Sequence, residues 1–312
     1  MSPFDATPPV DAAVIGGSFA GLTAALYLAR ARCTVALFDD GLTRNRFATA
    51  GHGFLGMDGR SPEEMRAAGR RDVLAYPTVT LHEERVISVC SGEESFRLQT
   101  ATGRTLAARR LVLACGMRDL LPELDGLAAC WGRTVLQCPY CHGYEMADRP
   151  TGILFTGAPS LHQARILGDW SDDLVLFANG HEIAAEDRAD LAARGIDVVE
   201  PEVARLEQRD GRLVALHLAD GSKVARDVLY MVSEAEPACD LARQLGCAHE
   251  DGPFGPYVAV DDVQMTSVPG IYAAGDLARI GYSATWAAAD GARAGAFCHQ
   301  SLRVDANPYA KG

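Results

Sequence analysis

Cys138 and Cys141, in the segment CPYC, form the only C-x-x-C of the chain. Two cysteines separated by two residues can close a small disulfide, and at the start of a helix the dipole favours the thiolate that attacks other disulfides. The surrounding QCPYCHGYEMADRP suits such a turn, because Pro139 is compatible with a first helical position. His142 follows directly and can take or give a proton as sulfur exchanges electrons. Glu145, three residues further, reads as a solvated or first-turn acid. Zinc is the competing chemistry for a cysteine pair, but it needs a second ligand pair that no other cysteine or histidine supplies, so no metal is expected. The other seven cysteines, Cys33, Cys90, Cys115, Cys130, Cys239, Cys247 and Cys298, sit singly in apolar or mixed surroundings. They read as buried small hydrophobes.

A second constellation lies near the start, in GGSFAG. Gly16 and Gly21 take the first and third places of a dinucleotide-binding turn and Ser18 the second, with Gly17 and Phe19 between them. The first glycine permits the turn, and the last lets helix and strand approach. The helix end beyond offers N–H groups and a positive dipole end to a pyrophosphate. Ser18 is a departure, yet a small residue there still allows close approach. An acid at the end of the next strand should bind ribose hydroxyls; Asp39 stands 18 residues after Gly21, near the expected spacing of about 20. A similar turn recurs as TGAPS, where Gly157 is followed by Ala158, Pro159 and Ser160. Here the later glycines are missing, Pro159 removes an N–H donor, and no arginine cluster follows to hold a 2′-phosphate. This unit is expected to keep its shape without the nucleotide.

These turns need elements to hold them. Apolar runs predict a strand at Ala12 to Ile15, a helix to about Arg32 and a strand from Thr34 to Phe38, a βαβ unit. A second unit follows, with strands at Ile153 to Phe155 and Leu174 to Phe177 around a helix from Leu161 to Leu167. SFRLQTATGRTLAARRLVLACG reads as a hairpin-like stretch between the units. Another hairpin is expected over about residues 203 to 232, with Asp210-Gly211 and Asp220-Gly221 as turns. VPGIYAAGDLAR looks like a strand and turn before a long Ala-rich helix. If that strand rejoins the first unit, the second domain is inserted into the first. The fold class that follows is α/β, with two Rossmann-like, three-layer ββα nucleotide-binding domains: 1–117 with 240–312, and 118–239.

The chain has 312 residues, 48% of them hydrophobic and 22% charged, which suits two ordinary globular domains. Its net charge of −12 argues against capture of nucleic acid or an anionic membrane, since phosphate binding needs a basic face. No apolar run reaches the roughly 18 residues that span a bilayer. MSPFDATPP lacks the basic and apolar regions of a signal peptide and reads as a loose tail. A cytoplasmic protein is expected.

Taken together, IGGSFAGLTAALYLARA, LVLACGMRDLLPELDG, CPYC and TSVPGIYAAGD resemble the low-molecular-weight thioredoxin reductases over nearly the whole chain. The resemblance implies an FAD domain interrupted by a smaller pyridine-nucleotide domain that carries the cysteines, and a homodimer. It implies that Asp276 holds the ribityl chain of FAD, that Ala114 and Gly116 lie against the flavin, and that Ser283 and Ala284 approach its ring system. The family usually has Gln where Ser283 stands. Thioredoxin reductases also usually carry Asp after the second cysteine and a full NADPH turn with an arginine cluster. With His142, TGAPS and RNRFATAGHGFLGMDG, the chain looks instead like the branch of the gliotoxin and holomycin dithiol oxidases. That likeness puts Arg44, Asn45 and His52 near FAD, Cys141 facing the flavin and Cys138 facing the substrate, with His142 as base.

The expected activity is therefore FAD-dependent oxidation of a dithiol to a disulfide with oxygen as acceptor. The expected substrate is a small-molecule dithiol or a thioredoxin-like protein. Three alternatives remain open at the level of sequence: an NADPH-dependent thioredoxin reductase, a ferredoxin-linked enzyme, and a flavin-binding scaffold without turnover.

Overall fold

The computed structural model describes residues 8–304; residues 1–7 of the expected N-terminal tail lie outside the described residues. The chain divides into two compact units, one comprising Met1–Arg44, Glu63–Arg118 and Ala235–Gly312, the other Asn45–Pro62 and Asp119–Glu234.

The first pass through the first unit supplies β1 (Val10–Ile15), α1 (Phe19–Arg30), β2 (Val35–Phe38), α2 (Pro62–Leu74), β3 (Val79–His82), β4 (Val86–Ser91), β5 (Phe96–Thr100), β6 (Thr105–Leu113) and β7 (Met117–Leu120). β1, β2, β3 and β6 pair in parallel, while β4, β5 and β6 form an antiparallel meander on the same sheet, in the order β3-β2-β1-β6-β5-β4. Both faces of β1 and β2 are buried. Ala13, Ile15, Ala36 and Phe38 face one core cluster, and Ala12, Val14, Val35 and Leu37 face the other. That explains why these strands read as unbroken apolar runs.

The second unit contains α3 (Leu127–Cys130), β8 (Val135–Leu136), α4 (Pro139–His142), β9 (Thr151–Leu154), α5 (Ala158–Leu167), β10 (Leu174–Phe177), α6 (Ala185–Ala193), β11 (Asp197–Val199), β12 (Val203–Arg209), β13 (Arg212–Leu218), β14 (Lys223–Ala225) and β15 (Val228–Met231). Its parallel sheet runs β11-β10-β9-β15-β8, and β12, β13 and β14 make a separate antiparallel sheet. Leu161, Ala164 and Leu167 of α5 pack on one face of the parallel sheet, and Val203, Leu206, Leu213 and Leu216 of the antiparallel sheet belong to the cluster on the other. The result is the expected ββα layering.

The hairpin expected over residues 203–232 is shorter than that. It ends with β14, and VLYM leaves it as β15 to pair in parallel with β9 and β8. All four of its residues are buried, and a strand covered on both faces belongs in a parallel sheet rather than in an exposed hairpin.

The chain then returns through β16 (Glu234–Pro237), α7 (Leu241–Gln244), β17 (His249–Gly252), β18 (Gly255–Val258), β19 (Ile271–Ala273) and α8 (Ala284–Ser301). β19 pairs with β6, matching Ile271 with Leu111 and Ala273 with Leu113, so the first sheet is completed by residues far apart in sequence. α8 lies against α1 at very short range. A Cβ on Gly291 would sit 2.1 Å from the Ala20 carbonyl oxygen, and one on Gly295 2.6 Å from that of Ala24. Glycine is required at both positions for the helices to meet.

Among the described residues no helix is long and apolar enough to cross a membrane, and no group of three His, Cys, Asp or Glu side chains could hold a metal ion.

Candidate redox and flavin site

Cys138 and Cys141 are joined as a disulfide, with their Cα atoms 5.3 Å apart. Cys138 sits in extended conformation just before α4, Pro139 opens the turn, and Cys141 lies within it. The segment is anchored from its own unit. The Gln137 carbonyl oxygen accepts a bond from Gln163 Nε2 at 2.5 Å. The Gln137 side-chain oxygen accepts from Ser233 Oγ at 3.1 Å, and that hydroxyl is also 2.8 Å from Asp119 Oδ1. On the other side the Gly143 N–H donates to the Pro139 carbonyl at 2.6 Å. A Cβ on Gly143 would lie 2.8 Å from Trp170 Nε1, so Trp170 covers the turn, with Tyr140 meeting it edge-on at 5.6 Å. Gln163, Ser233 and Trp170 carried no sequence signal, because each reaches the turn from a distant part of the chain.

Burial pushes the His142 imidazole below its ordinary value, with Glu145 pulling it up and His52 pushing it down. The ring is therefore neutral at neutral pH, and a neutral imidazole can accept a proton. Glu145 is more than a solvated acid: its Oε1 lies 3.4 Å from His52 Nε2, while His52 Nδ1 lies 3.4 Å from Asp58 Oδ2. His52, expected near FAD, thus stands in the second unit with Asn45 and faces the cysteine turn. The Tyr230 hydroxyl is buried without a hydrogen-bond partner, and burial raises its pKa, with Glu145 adding to the effect.

In the first unit, Gly16 has φ +115°, and a Cβ there would fall 2.1 Å from the Ala114 carbonyl oxygen. A Cβ on Gly17 would meet the Asp39 side chain at 2.5 Å, and one on Gly21 the Gly16 carbonyl oxygen at 1.7 Å. The turn is closed so tightly that only glycine fits at all three positions. It leads from β1 into α1, with Ser18 as N-cap making no side-chain cap bond and Phe19 as the first helical residue. Asp39 is buried at the end of β2, where its Oδ2 is 3.0 Å from Arg66 NH1 and its Oδ1 accepts the Gly41 N–H at 3.0 Å. Arg66 is a partner that the motif does not contain. Asp276 Oδ2 lies 3.2 Å from Arg44 NH1, and the Arg44 guanidinium stacks over the Tyr282 ring at 3.8 Å. Ser283 is the N-cap of α8 and Ala284 its first residue. Gly116, with φ +69°, accepts the Ala238 N–H at 3.0 Å. A βαβ turn that a Cβ would fill, with an acid at the next strand end, fits the pyrophosphate and ribose of FAD.

The TGAPS turn is built differently. Gly157 has φ +143°, but a Cβ there would meet nothing closer than Pro159 Cδ at 3.8 Å. The Ser160 hydroxyl is spent within the turn, accepting the Thr156 N–H at 3.0 Å, and the Thr156 hydroxyl donates to the Val232 carbonyl at 2.8 Å. Nearby arginines are committed to acids: Arg165 to Asp187 and Asp190, and Arg188 to Glu200.

Two cysteine expectations need correction. Cys115 and Cys239 are not separate buried hydrophobes but form a second disulfide, with Cα atoms 6.2 Å apart and a sequence separation of 124 positions. Cys90 is exposed, on a strand whose buried residues are Val86 and Val89. Cys33, Cys130, Cys247 and Cys298 are buried thiols, each raised by burial.

Comparison with known proteins agrees with this architecture. The family model described as pyridine nucleotide-disulphide oxidoreductase matches residues 10–292. The chain is 33% identical to thioredoxin reductase tcpT of Claviceps purpurea over 279 residues, 86% of each chain. Among solved structures, an oxidoreductase from Agrobacterium tumefaciens superimposes with a TM-score of 0.90 at 40% identity, covering 95% of this chain and 99% of that one. The crystal structure of HlmI gives 0.89 at 39%, covering 95% and 93%. The chain belongs to the pyridine nucleotide-disulphide oxidoreductase family and is a flavin-dependent, thioredoxin reductase-like oxidoreductase.

Proposed function

We propose that the chain oxidises a dithiol to a disulfide, using Cys138–Cys141 as the exchanging pair, FAD as the electron carrier and oxygen as the final acceptor. The observation that carries this reading is the CPYC disulfide beside a neutral His142, in a unit whose nucleotide turn is tied up within itself. One substrate thiolate attacks Cys138 Sγ, the Cys138–Cys141 bond breaks, and Cys141 leaves as a thiolate. His142 takes the proton of the second substrate thiol. That thiolate attacks the substrate sulfur of the mixed disulfide, which frees the oxidised product and leaves Cys138 reduced. The Gly16–Gly21 turn with Asp39 and Asp276 would hold FAD, which when bound would supply a two-electron acceptor for the reduced pair. Arg44, Ala114, Gly116, Ser283 and Ala284 line its remaining contacts in this reading, and His52 meets Glu145 beside the cysteine turn. The first unit is the FAD domain and the second a pyridine-nucleotide-type domain without a working NADPH turn. The substrate is a small dithiol or a thioredoxin-like protein, and the family likeness favours a homodimer.

The experiment is anaerobic reduction of the yellow protein. Bleaching of the flavin by dithiols but not by NADPH, followed by oxygen uptake on aeration, is the expected result. Rapid bleaching by NADPH would refute the direction of electron flow.

A further inference from the structure

We propose that Cys115–Cys239 is a second thiol–disulfide exchange site, distinct from CPYC, that is opened by a small thiol carrying carboxylates. It does not depend on the direction of electron flow through CPYC. Both residues are half-buried, unlike the buried Cys33, Cys130, Cys247 and Cys298. Cys239 lines a cleft of about 490 Å³, which falls in the range that holds a small ligand, about 300–1,000 Å³. The cleft walls carry three guanidiniums, Arg85, Arg118 and Arg243, and two carboxylates, Glu236 and Asp240. Arg118 pairs with Glu236, Arg243 lies 4.0 Å from Asp240, and Arg85 lies 3.2 Å from Asp40 and also donates to the Ala238 carbonyl at 3.2 Å. All three arginine side chains are more than half exposed, at 54%, 69% and 61%. Exposed pairs of this kind are worth little, so the guanidinium forks can be redirected to an incoming carboxylate, which they match in bidentate geometry.

The step balances as ordinary exchange. The thiolate of the small thiol attacks Sγ of Cys239, the member of the pair that lines the cleft. The Cys115–Cys239 bond breaks, and Cys115 leaves with the electron pair and takes up a proton. A second small thiol then attacks the mixed disulfide on its own class of sulfur, giving the small-molecule disulfide and a Cys239 thiol. Two thiols are oxidised and one protein disulfide is reduced, and the reverse reaction with the small-molecule disulfide closes it again. Cys115 lies at the end of β6 just before the chain leaves the first unit, and Cys239 lies just after its return at Ala235. Opening the bond therefore releases a covalent link between the outgoing and returning strands.

The test uses flavin-loaded protein with Cys138→Ser and Cys141→Ser, so that CPYC contributes nothing. Glutathione serves as the carboxylated thiol and 2-mercaptoethanol as the neutral one, and differential alkylation with mass spectrometry reads each cysteine. Expected is reversible reduction of Cys115 and Cys239 in folded protein, several-fold faster with glutathione at equal thiolate concentration and low salt. With Cys115→Ser added, glutathione disulfide should exchange with the Cys239 thiol, releasing one glutathione and leaving the other attached to Cys239, because no Cys115 thiol is left to displace it. Reduction only under conditions that unfold the chain would overturn the proposal. Equal rates for the two thiols would overturn the carboxylate recognition. If Cys115→Ser prevents folding, the rate ratio in the unmodified pair still decides.

Discussion

Replacing Gly21 with alanine adds one methyl group where the structure has no room for it. The new Cβ would stand 1.7 Å from the Gly16 carbonyl oxygen, 2.9 Å from the Gly16 carbonyl carbon and 3.3 Å from Val14 Cγ1. The first two are backbone atoms of the very turn that closes over β1, so no flexible side chain can yield. An ordinary contact needs about twice the first distance, and relief requires α1 to lift from β1 by more than an ångström. That shift also opens the α1–α8 contact, because Gly291 and Gly295 set α8 against the carbonyls of Ala20 and Ala24. Overpacking a core by a methylene typically costs about 1–3 kcal/mol; with rigid backbone on both sides, the upper end, about 3 kcal/mol, is expected. Gly168→Ala is the control, since Gly168 has φ −58° and its Cβ would meet nothing within 4 Å. There the loss of unfolded-state entropy should stabilise by about 0.4–1 kcal/mol. Denaturant unfolding, together with flavin absorbance per chain after gel filtration, reads both effects. Gly21→Ala protein with unchanged stability and one flavin per chain would refute the closed-turn reasoning.

Further outcomes follow from the same geometry. Cys138→Ser or Cys141→Ser should each reduce dithiol-dependent oxygen uptake by at least about a thousandfold, as loss of a nucleophile does, with flavin retained; residual turnover near the starting rate would exclude the CPYC route. His142 is held neutral by burial below its ordinary 6.5, so the unfolded chain takes up this proton first as pH falls. Its contribution to stability is therefore present above about pH 6.5 and is lost as pH drops from there through the folded value; His142→Gln should flatten that part of the stability profile, as chemical denaturation at pH 5 and 7.5 would reveal. Arg66→Ala leaves the buried Asp39 carboxylate with only the Gly41 N–H and should cost about 2–4 kcal/mol, toward the lower side of what breaking a buried pair costs. Asp39→Asn combined with Arg66→Ala should recover part of it in the same unfolding assay, and no recovery would contradict the charge argument.

Much of the fold is written locally. β1 and β2 are short apolar runs because both of their faces are covered, and the break between them needs glycine at φ +115°; both features leave a trace in a single sequence. VLYM carried the same signal, yet the neighbouring Asp-Gly turns drew it into a hairpin. Continuous burial is the stronger indicator, since an exposed hairpin strand alternates. The disulfide between Cys115 and Cys239 was not legible. Its partners lie 124 residues apart, on either side of an inserted domain, and nothing near either residue names the other. The same holds for His52 and Glu145: each is an ordinary polar residue in its own segment, and only the folded second unit brings them to 3.4 Å. Pairing across long sequence separation is a property of the topology, and motifs report only what neighbours along the chain dictate.

The contrast between the two βαβ turns bears directly on where electrons enter. Gly16, Gly17 and Gly21 sit where a Cβ would collide with the Ala114 carbonyl, the Asp39 side chain and the Gly16 carbonyl, so any drift toward larger residues there would break the turn itself. At Gly157 the space is open to 3.8 Å, and the hydroxyls of Thr156 and Ser160 bond to each other and to the Val232 carbonyl. Pro159 supplies no N–H, and Arg165 and Arg188 answer acids of their own unit. A site that must hold a nucleotide phosphate keeps donors directed at it; here the two hydroxyls of the turn are engaged within it. The second unit still needs its parallel sheet, because β8 and α5 anchor Gln137 and with it the cysteine turn. Retention of the scaffold together with a turn whose hydroxyls are tied up and whose proline lacks an N–H is what is expected if electrons reach Cys138–Cys141 from a dithiol rather than from a nicotinamide.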